Sequence, residues 1–221
     1  YLNQYMFGGA DTSKPPYAIE RSESGEISRV VYKGSDNSRI VEVAPNVKAD
    51  TLLVGKDIFH GQNYSAPLFY GETGIKAGAG QSNITGDAWL KVEHDGTNYK
   101  LSLDDGATWT IVPIGGEENT AVTDSITGKI LYVDTRELNS IGIEPVRMPG
   151  TYDLFNTLIN IRDMLRNTKE LPDEKLAEMR NLMVASLEEV SFELSRAITS
   201  VGGKINTLSD LKTTMEDLGA K

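Results

Sequence analysis

Two histidines, His60 and His94, are the only candidates for imidazole chemistry in this chain. A histidine that converges with carboxylates can hold a metal ion or act as a general base. His94 lies between Glu93 and Asp95, but successive side chains of a strand point to opposite faces of a sheet. We therefore expect His94 to be a residue at a hairpin end, without a metal ligand set around it.

Other motifs also lack the spacing that catalysis or ligand binding requires. Asp104-Asp105-Gly106 has neither the alternating acids nor the final Glu of a calcium loop, so it predicts a β-turn. The glycines between residues 74 and 86 are not followed by Gly-Lys-Ser/Thr, which indicates a surface loop. No Gly-x-Ser-x-Gly nucleophile elbow occurs. The sequence predicts no enzyme, no cofactor and no metal centre.

The aromatic residues Trp89, Tyr99 and Trp109 leave a binding function open. Such side chains can form a platform for sugars, although they more often fill or border a β-core. A β-domain adhesin or carbohydrate-binding module on a helical stalk therefore remains an alternative reading.

Composition excludes several classes of partner and site. The net charge of −10 argues against nucleic acid, which requires clustered Lys and Arg, and against an anionic membrane surface. The absence of Cys excludes disulfides, cysteine zinc sites and thiol nucleophiles. The chain has no run of 18 apolar residues and no visible signal peptide, and it does not begin with Met. We expect an internal fragment of a longer protein.

The first two thirds of the chain read as short strands. Residues 1–7 are expected to end a helix, with Gly8-Gly9 as its stop. Residues 29–32 and 39–43 are strand-like, and the turn residues between them predict a hairpin. Alternating residues on both sides of Asp95-Gly96 predict another hairpin, and residues 109–112 and 129–133 predict further strands. This spacing is typical of a small β-sandwich or barrel-like domain.

After Pro149 the hydrophobic period changes to that of a helix. Thr151 is expected to cap a first helix that carries Leu154, Leu158 and Leu165. A second helix is predicted from about Pro172 to Leu218, roughly 70 Å long at 1.5 Å per residue. Its apolar residues follow steps of three and four, the coiled-coil period. This packing stripe consists of Leu187, Val190, Leu194, Ile198, Val201, Ile205, Leu208, Leu211, Met215 and Leu218.

The change of period predicts two domains: residues 1–60 with 149–221, and residues 61–148 as an inserted β-rich outer domain. The adjacent Gly202-Gly203 costs about 1 kcal/mol per residue relative to Ala in a helix. We expect another backbone to pack closely there.

Four segments resemble the flagellar hook-associated protein 3 family, the hook–filament junction proteins of the flagellin-like superfamily. They are Tyr5-Met6-Phe7-Gly8-Gly9 with Thr12, Lys14 and Pro15-Pro16; Val31-Tyr32-Lys33-Gly34 with Asp36, Arg39 and Val41-Glu42-Val43-Ala44-Pro45; Thr151-Tyr152-Asp153-Leu154-Phe155-Asn156-Thr157-Leu158; and Ser195-Arg196-Ala197-Ile198-Thr199-Ser200-Val201-Gly202-Gly203-Lys204-Ile205-Asn206. The resemblance covers about residues 1–60 and 130–221. The family's extreme terminal helices have no counterpart in the chain.

The resemblance implies an α+β fold, with a long antiparallel helical domain that carries a β-hairpin, like flagellin domain D1, and an inserted, mainly β outer domain. It implies an extracellular flagellar subunit that is exported without a cleaved signal peptide and catalyses nothing. Its expected partners are copies of itself in a ring, the neighbouring hook-associated protein, flagellin and an export chaperone. A filament flagellin, which shares the last helix, is the nearest alternative.

Overall fold

The computed structural model describes residues 4–38, 40–44, 47–50 and 53–219. Tyr1, Arg39 and Pro45, which belong to the segments above, lie outside these residues. The strands are β1 (Tyr17–Arg21), β2 (Ile27–Tyr32), β3 (Ile40–Ala44), β4 (Val47–Asp50), β5 (His60–Gln62), β6 (Leu68–Phe69), β7 (Lys76–Ala77), β8 (Gly86–His94), β9 (Tyr99–Ser102), β10 (Thr110–Val112), β11 (Thr120–Thr123), β12 (Ile130–Asp134), β13 (Gly142–Met148) and β14 (Thr151–Asp153). The helices are α1 (Gly55–Phe59), α2 (Leu154–Leu165) and α3 (Asp173–Gly219). Within the described residues, none of these helices has the length and apolarity to cross a bilayer.

The chain has an α+β fold and divides into two compact units. The first unit consists of Tyr1–Gly61, Leu154–Ile159 and Leu182–Lys221, and the second of Gln62–Asp153 and Asn160–Asn181. Residues 160–181 thus belong to the compact unit of the β-rich part. The predicted domains, 1–60 with 149–221 and 61–148, remain a prediction.

Aromatic rings form the centre of the first unit. The ring centroid of Tyr17 lies 5.2 Å from that of Tyr32 and 4.8 Å from that of Phe155. Phe59 contacts Phe155 at a centroid distance of 5.5 Å. Around these rings, β1 pairs antiparallel with β2, and β3 pairs antiparallel with β4.

The strand pairing corrects the predicted hairpin between residues 29–32 and 39–43. The turn at residues 22–26 joins β1 to β2 instead, with the Ser22 amide donating to Glu26 O at 2.9 Å. Gly25 has a φ of +82°, the left-handed conformation that glycine adopts without strain. Residues 33–38 contact the segment around Gly8 instead, because the Ser35 amide donates to Gly8 O at 2.9 Å.

Two helix boundaries also differ from the prediction. The described residues 4–7 are not helical, and Gly8 forms an antiparallel bridge with Val54. Thr151 does not cap α2, because it lies in β14 and its hydroxyl donates to Met148 O at 2.8 Å. The prediction for the long helix is confirmed to within about one residue.

The second unit is built around a β-sandwich, as the turn spacing predicts. One sheet has the strand order β10-β9-β8-β13-β6, and the other has β11-β12-β7. The hairpin at Asp95-Gly96 is confirmed by the pairing of β8 with β9. Both sheets contribute fully buried side chains to one apolar core, among them Leu90, Leu101, Val122, Leu131 and Val133.

A buried carboxylate fixes the edge of this sandwich. Glu144 on β13 is 1% exposed, and it accepts hydrogen bonds from the Thr73 hydroxyl at 2.6 Å and from the Gly71 amide. An ionisable group is tolerated in such a place only when donors surround it. The bonds attach the loop after β6 to β13.

Candidate interaction surface

Both histidines make contacts that stabilise the local fold. The ring of His60 stacks on Tyr17 at a centroid distance of 6.2 Å and an interplanar angle of 3°. His94 ends β8, as predicted, and its Nδ1 accepts the Gly96 amide at 3.0 Å. Among the described residues, no group of three or more His, Asp or Glu side chains is placed to hold a metal ion.

Asp104 has a structural role that sequence analysis missed. Its carboxylate accepts hydroxyl hydrogen bonds from Ser102 at 2.8 Å, Thr108 at 2.6 Å and Ser125 at 2.6 Å. Burial raises the pKa of Asp104, but these hydrogen bonds outweigh it and hold the pKa well below its ordinary value. The predicted β-turn is confirmed by the bond from the Ala107 amide to Asp104 O. Asp104 therefore ties that turn to the turn after β11.

The two tryptophans are engaged separately within the second unit. The Trp89 indole donates to Asn160 Oδ1 at 3.3 Å. The ring of Trp109 lies under the ammonium of Lys100, at 4.3 Å from its centroid, with Lys91 at 5.6 Å. Cation–π contacts of this kind occupy ring faces that a sugar would need. The geometry thus gives no support to an aromatic sugar platform.

The burial of side chains on helix α3 changes along its length. In its first half one row of side chains is buried, with steps of three and four residues between neighbours. This row consists of Leu176, Met179, Met183, Ser186 and Val190. Such a row belongs to the core of the folded chain.

The predicted packing stripe begins where the buried row ends. Within it, Val190 is buried, and Leu194, Val201, Leu208 and Leu211 are half-buried. Leu187, Ile198, Ile205 and Met215 are exposed, at 38%, 66%, 60% and 45%. Leu218 is helical, and its side chain lies outside the described residues. The function of the stripe as a packing surface remains a prediction.

One set of stripe residues follows a strict seven-residue repeat. These residues are Leu187, Leu194, Val201, Leu208 and Met215. A strict repeat of seven keeps a seam on one side of a helix that winds in a left-handed supercoil. The second half of α3 thus presents a seam that suits another long helix.

The threonine hydroxyls in this half find acceptors within their own helix. Thr199 donates to Ser195 O at 3.0 Å, and Thr207 donates to Gly203 O at 3.0 Å. Glu193 and Arg196 form an ion pair at 2.8 Å. Because the hydroxyls already have acceptors, covering this surface would leave few polar groups unsatisfied. Sequence analysis missed this feature, although hydroxyl residues spaced by helical turns are its signal.

Gly202 and Gly203 lie inside α3 without interrupting it. A Cβ built on either glycine would meet no atom within 4 Å outside the local helix backbone. The close approach of another backbone at this pair remains a prediction.

Comparisons with known proteins reveal a shared fold. No family model matches the chain, and a search of curated proteins finds no significant match. The crystal structure of Xanthomonas campestris FlgL in space group C2 matches with a TM-score of 0.50 and 18% identity, covering 99% of this chain and 71% of that one. The same protein in space group H3 matches with a TM-score of 0.48 and 19% identity, covering 97% of this chain and 74% of that one. The flagellar junction protein FlgL from Legionella pneumophila matches with a TM-score of 0.48 and 15% identity, covering 97% of this chain and 70% of that one.

The match at a TM-score of 0.50 confirms the resemblance at the level of the fold. At 18% identity, this likeness to Xanthomonas campestris FlgL concerns the fold alone.

Proposed function

We propose that this chain is a structural subunit of the bacterial flagellum, at the junction between hook and filament. The observation that carries the proposal is the second half of α3, which presents the seam of seven-residue period together with the exposed side chains of Ile198 and Ile205. The proposal also draws on the fold that the chain shares with Xanthomonas campestris FlgL. In this role the protein acts by packing and catalyses no reaction.

The proposed domain arrangement follows from that role. Residues 1–60 and 149–221 form a helical domain like flagellin D1, and residues 61–148 form the outer domain. The helical domain contacts copies of the chain in a ring, together with a neighbouring hook-associated protein and flagellin. The protein works outside the cell, after export without a cleaved signal peptide and with the help of a chaperone.

Burial of the seam and of the exposed isoleucines beside it supplies the free energy of assembly. Removing a side chain such as Ile198 or Ile205 from water contributes about 1.5–3 kcal/mol. Several such side chains along one helix exceed the several kcal/mol that association costs in lost freedom. A charged side chain in the seam makes assembly unfavourable, because burying an unpaired charge costs more free energy than the apolar contacts supply.

Deletion of the gene tests the proposal directly. We expect cells with complete hooks but no filaments, and with flagellin monomers shed into the medium, as seen by electron microscopy and immunoblotting. Hooks without filaments and without shed flagellin would instead identify a filament flagellin. Normal filaments with loss of surface attachment would identify an adhesin.

Complementation with variants tests the seam within the full-length protein. Leu194→Asp should abolish filament attachment. Thr199→Asp is a matched control, because it places the same charge about 140° away around the helix. Filaments on the Leu194→Asp strain, or their equal loss in both strains, would contradict a packing role for this face.

A further inference from the structure

Loops at one end of the β-sandwich enclose a groove that the proposed function does not use. The groove has a volume of about 180 Å³. It lies between the β8–β9 hairpin, the loop after β10 and the loop after β12. Val112, Tyr99 and Leu138 provide apolar lining, and His94, Asn98 and Arg136 provide polar lining. Drug-sized ligands and cofactors occupy about 300–1,000 Å³, so this groove suits a single side chain.

Ile114 is the exposed apolar residue of this groove. It is 87% exposed, the highest value among the exposed large apolar side chains of the described residues. The Gly116 amide donates to Pro113 O at 2.9 Å and closes a turn with Ile114 at its tip. Gly115 has a φ of +90°, which suits the third position of a type II turn. The turn itself does not require an apolar residue at its tip, so Ile114 is available for a contact.

The loops around the groove are acidic. Their carboxylates are those of Asp95, Glu117, Glu118, Asp134 and Glu137. Arg136 is already neutralised, because its guanidinium bonds Asp134 at 2.7 Å and lies 3.7 Å from Glu118. Lys76 is paired with Glu137 at 2.7 Å. Two cations therefore stand against five carboxylates, and three negative charges remain in excess near the groove, among them those of Asp95 and Glu117.

We propose that this groove binds a basic segment of another protein. An aliphatic side chain of the segment enters between Ile114, Val112 and Leu138. Its neighbouring Lys or Arg side chains face Asp95 and Glu117, in the way complementary charges specify partners at interfaces. The site lies within the second unit and does not depend on the packing of the seam of α3.

A titration followed by nuclear magnetic resonance tests this inference on the whole ¹⁵N-labelled chain. The probes are two blocked tripeptides with the same aliphatic centre, acetyl-Lys-Leu-Lys amide and acetyl-Glu-Leu-Glu amide. We expect the basic peptide to shift the amide signals of Asn98, Ile114 and Leu138. Its affinity should exceed that of the acidic peptide by at least about fivefold.

Variants separate the groove from general attraction to an acidic protein. Ile114→Ser should weaken binding of the basic peptide by about fivefold or more, because its apolar contact is lost. Glu117→Gln should weaken it by about twofold. Ile126→Ser is the matched control, since Ile126 is also an exposed residue of a turn in this sandwich and should leave the affinity unchanged. Equal affinity for both peptides, absent groove shifts, or an unaltered affinity in Ile114→Ser would each overturn the inference.

Discussion

Asn160 of α2 bonds both the backbone and the side chain of β8, and so attaches the helix to the sandwich. Its Oδ1 accepts the indole N–H of Trp89 at 3.3 Å, and its Nδ2 donates to Asp87 O at 2.9 Å. Both bonds lie within the second compact unit. A single amide thus satisfies a partly buried indole N–H and a partly buried backbone carbonyl at once.

Replacement of Asn160 by Ala should lower the free energy of unfolding by about 1–3 kcal/mol, because it leaves the partly buried indole N–H without its acceptor. Urea unfolding followed by circular dichroism measures the change. Asn206→Ala on the exposed half of α3 is the control and should stay within about 0.5 kcal/mol of the parent. Equal stability of the two variants would show that the Asn160 bonds contribute nothing net.

Asp104 makes the second unit sensitive to acid. Its folded pKa lies below the unfolded value of about 3.9, so its stabilisation is fully present above that value. The stabilisation is lost as the pH falls below about 4 toward the folded pKa. We expect Asp104→Asn to cost about 2–4 kcal/mol at pH 7 and to flatten the acid limb of the stability curve.

Urea midpoints between pH 2 and pH 7 check this expectation. Glu118→Gln, which alters an exposed carboxylate, should keep the acid limb of the parent. The role assigned to Asp104 is wrong if Asp104→Asn loses stability by the same amount at every pH.

Glu170 is held in a conformation that suits glycine. Its φ is +52°, in the loop where Asn167 bonds both backbone groups of Leu171. Glu170→Gly should therefore raise the free energy of unfolding, by up to about 1 kcal/mol. The same change at Glu188, which is exposed inside α3, should lower it by about 1 kcal/mol. Thermal unfolding compares the two, and a shared sign would contradict the strain at Glu170.

Local signals predicted the elements whose partners are close in sequence. The β8–β9 hairpin follows from Asp95-Gly96 and the alternation on both sides of it. The helix α3 follows from a period sustained over 47 residues. In both cases the pattern repeats often enough to outweigh individual exceptions such as Gly202-Gly203.

Contacts between distant residues account for the features that the sequence analysis predicted wrongly or missed. The turn residues at 33–38 predicted a hairpin between β2 and the next strand, whereas β2 pairs with β1 across residues 22–26. Residues 33–38 are held instead by the Tyr32 hydroxyl, whose single proton is shared between Ser35 O at 2.9 Å and Phe7 O at 3.2 Å. Glu144 was unpredictable for the same reason, since its donor Thr73 is 71 residues away.

The two halves of α3 should differ in their resistance to opening. Met183, Ser186 and Val190 are buried, whereas Ile198 and Ile205 lie in solvent. An isolated helix of 12–15 residues is marginal in water, so a half without tertiary contacts depends on propensity alone. The glycine pair lowers that propensity further, by about 1 kcal/mol per residue.

Amide hydrogen exchange on the dilute monomer measures this difference. We expect residues 205–217 to exchange at least about tenfold faster than residues 183–190, because opening the exposed half breaks few packed contacts. Replacing Gly202 and Gly203 together by Ala should slow exchange in residues 205–217 and leave residues 183–190 unchanged, since neither new Cβ meets an atom within 4 Å. Residues 205–217 should also gain protection when the seam is covered in an assembly. Equal protection of both halves in a verified monomer would mean that the seam is already covered within the chain, and would remove the basis for assigning it to another subunit.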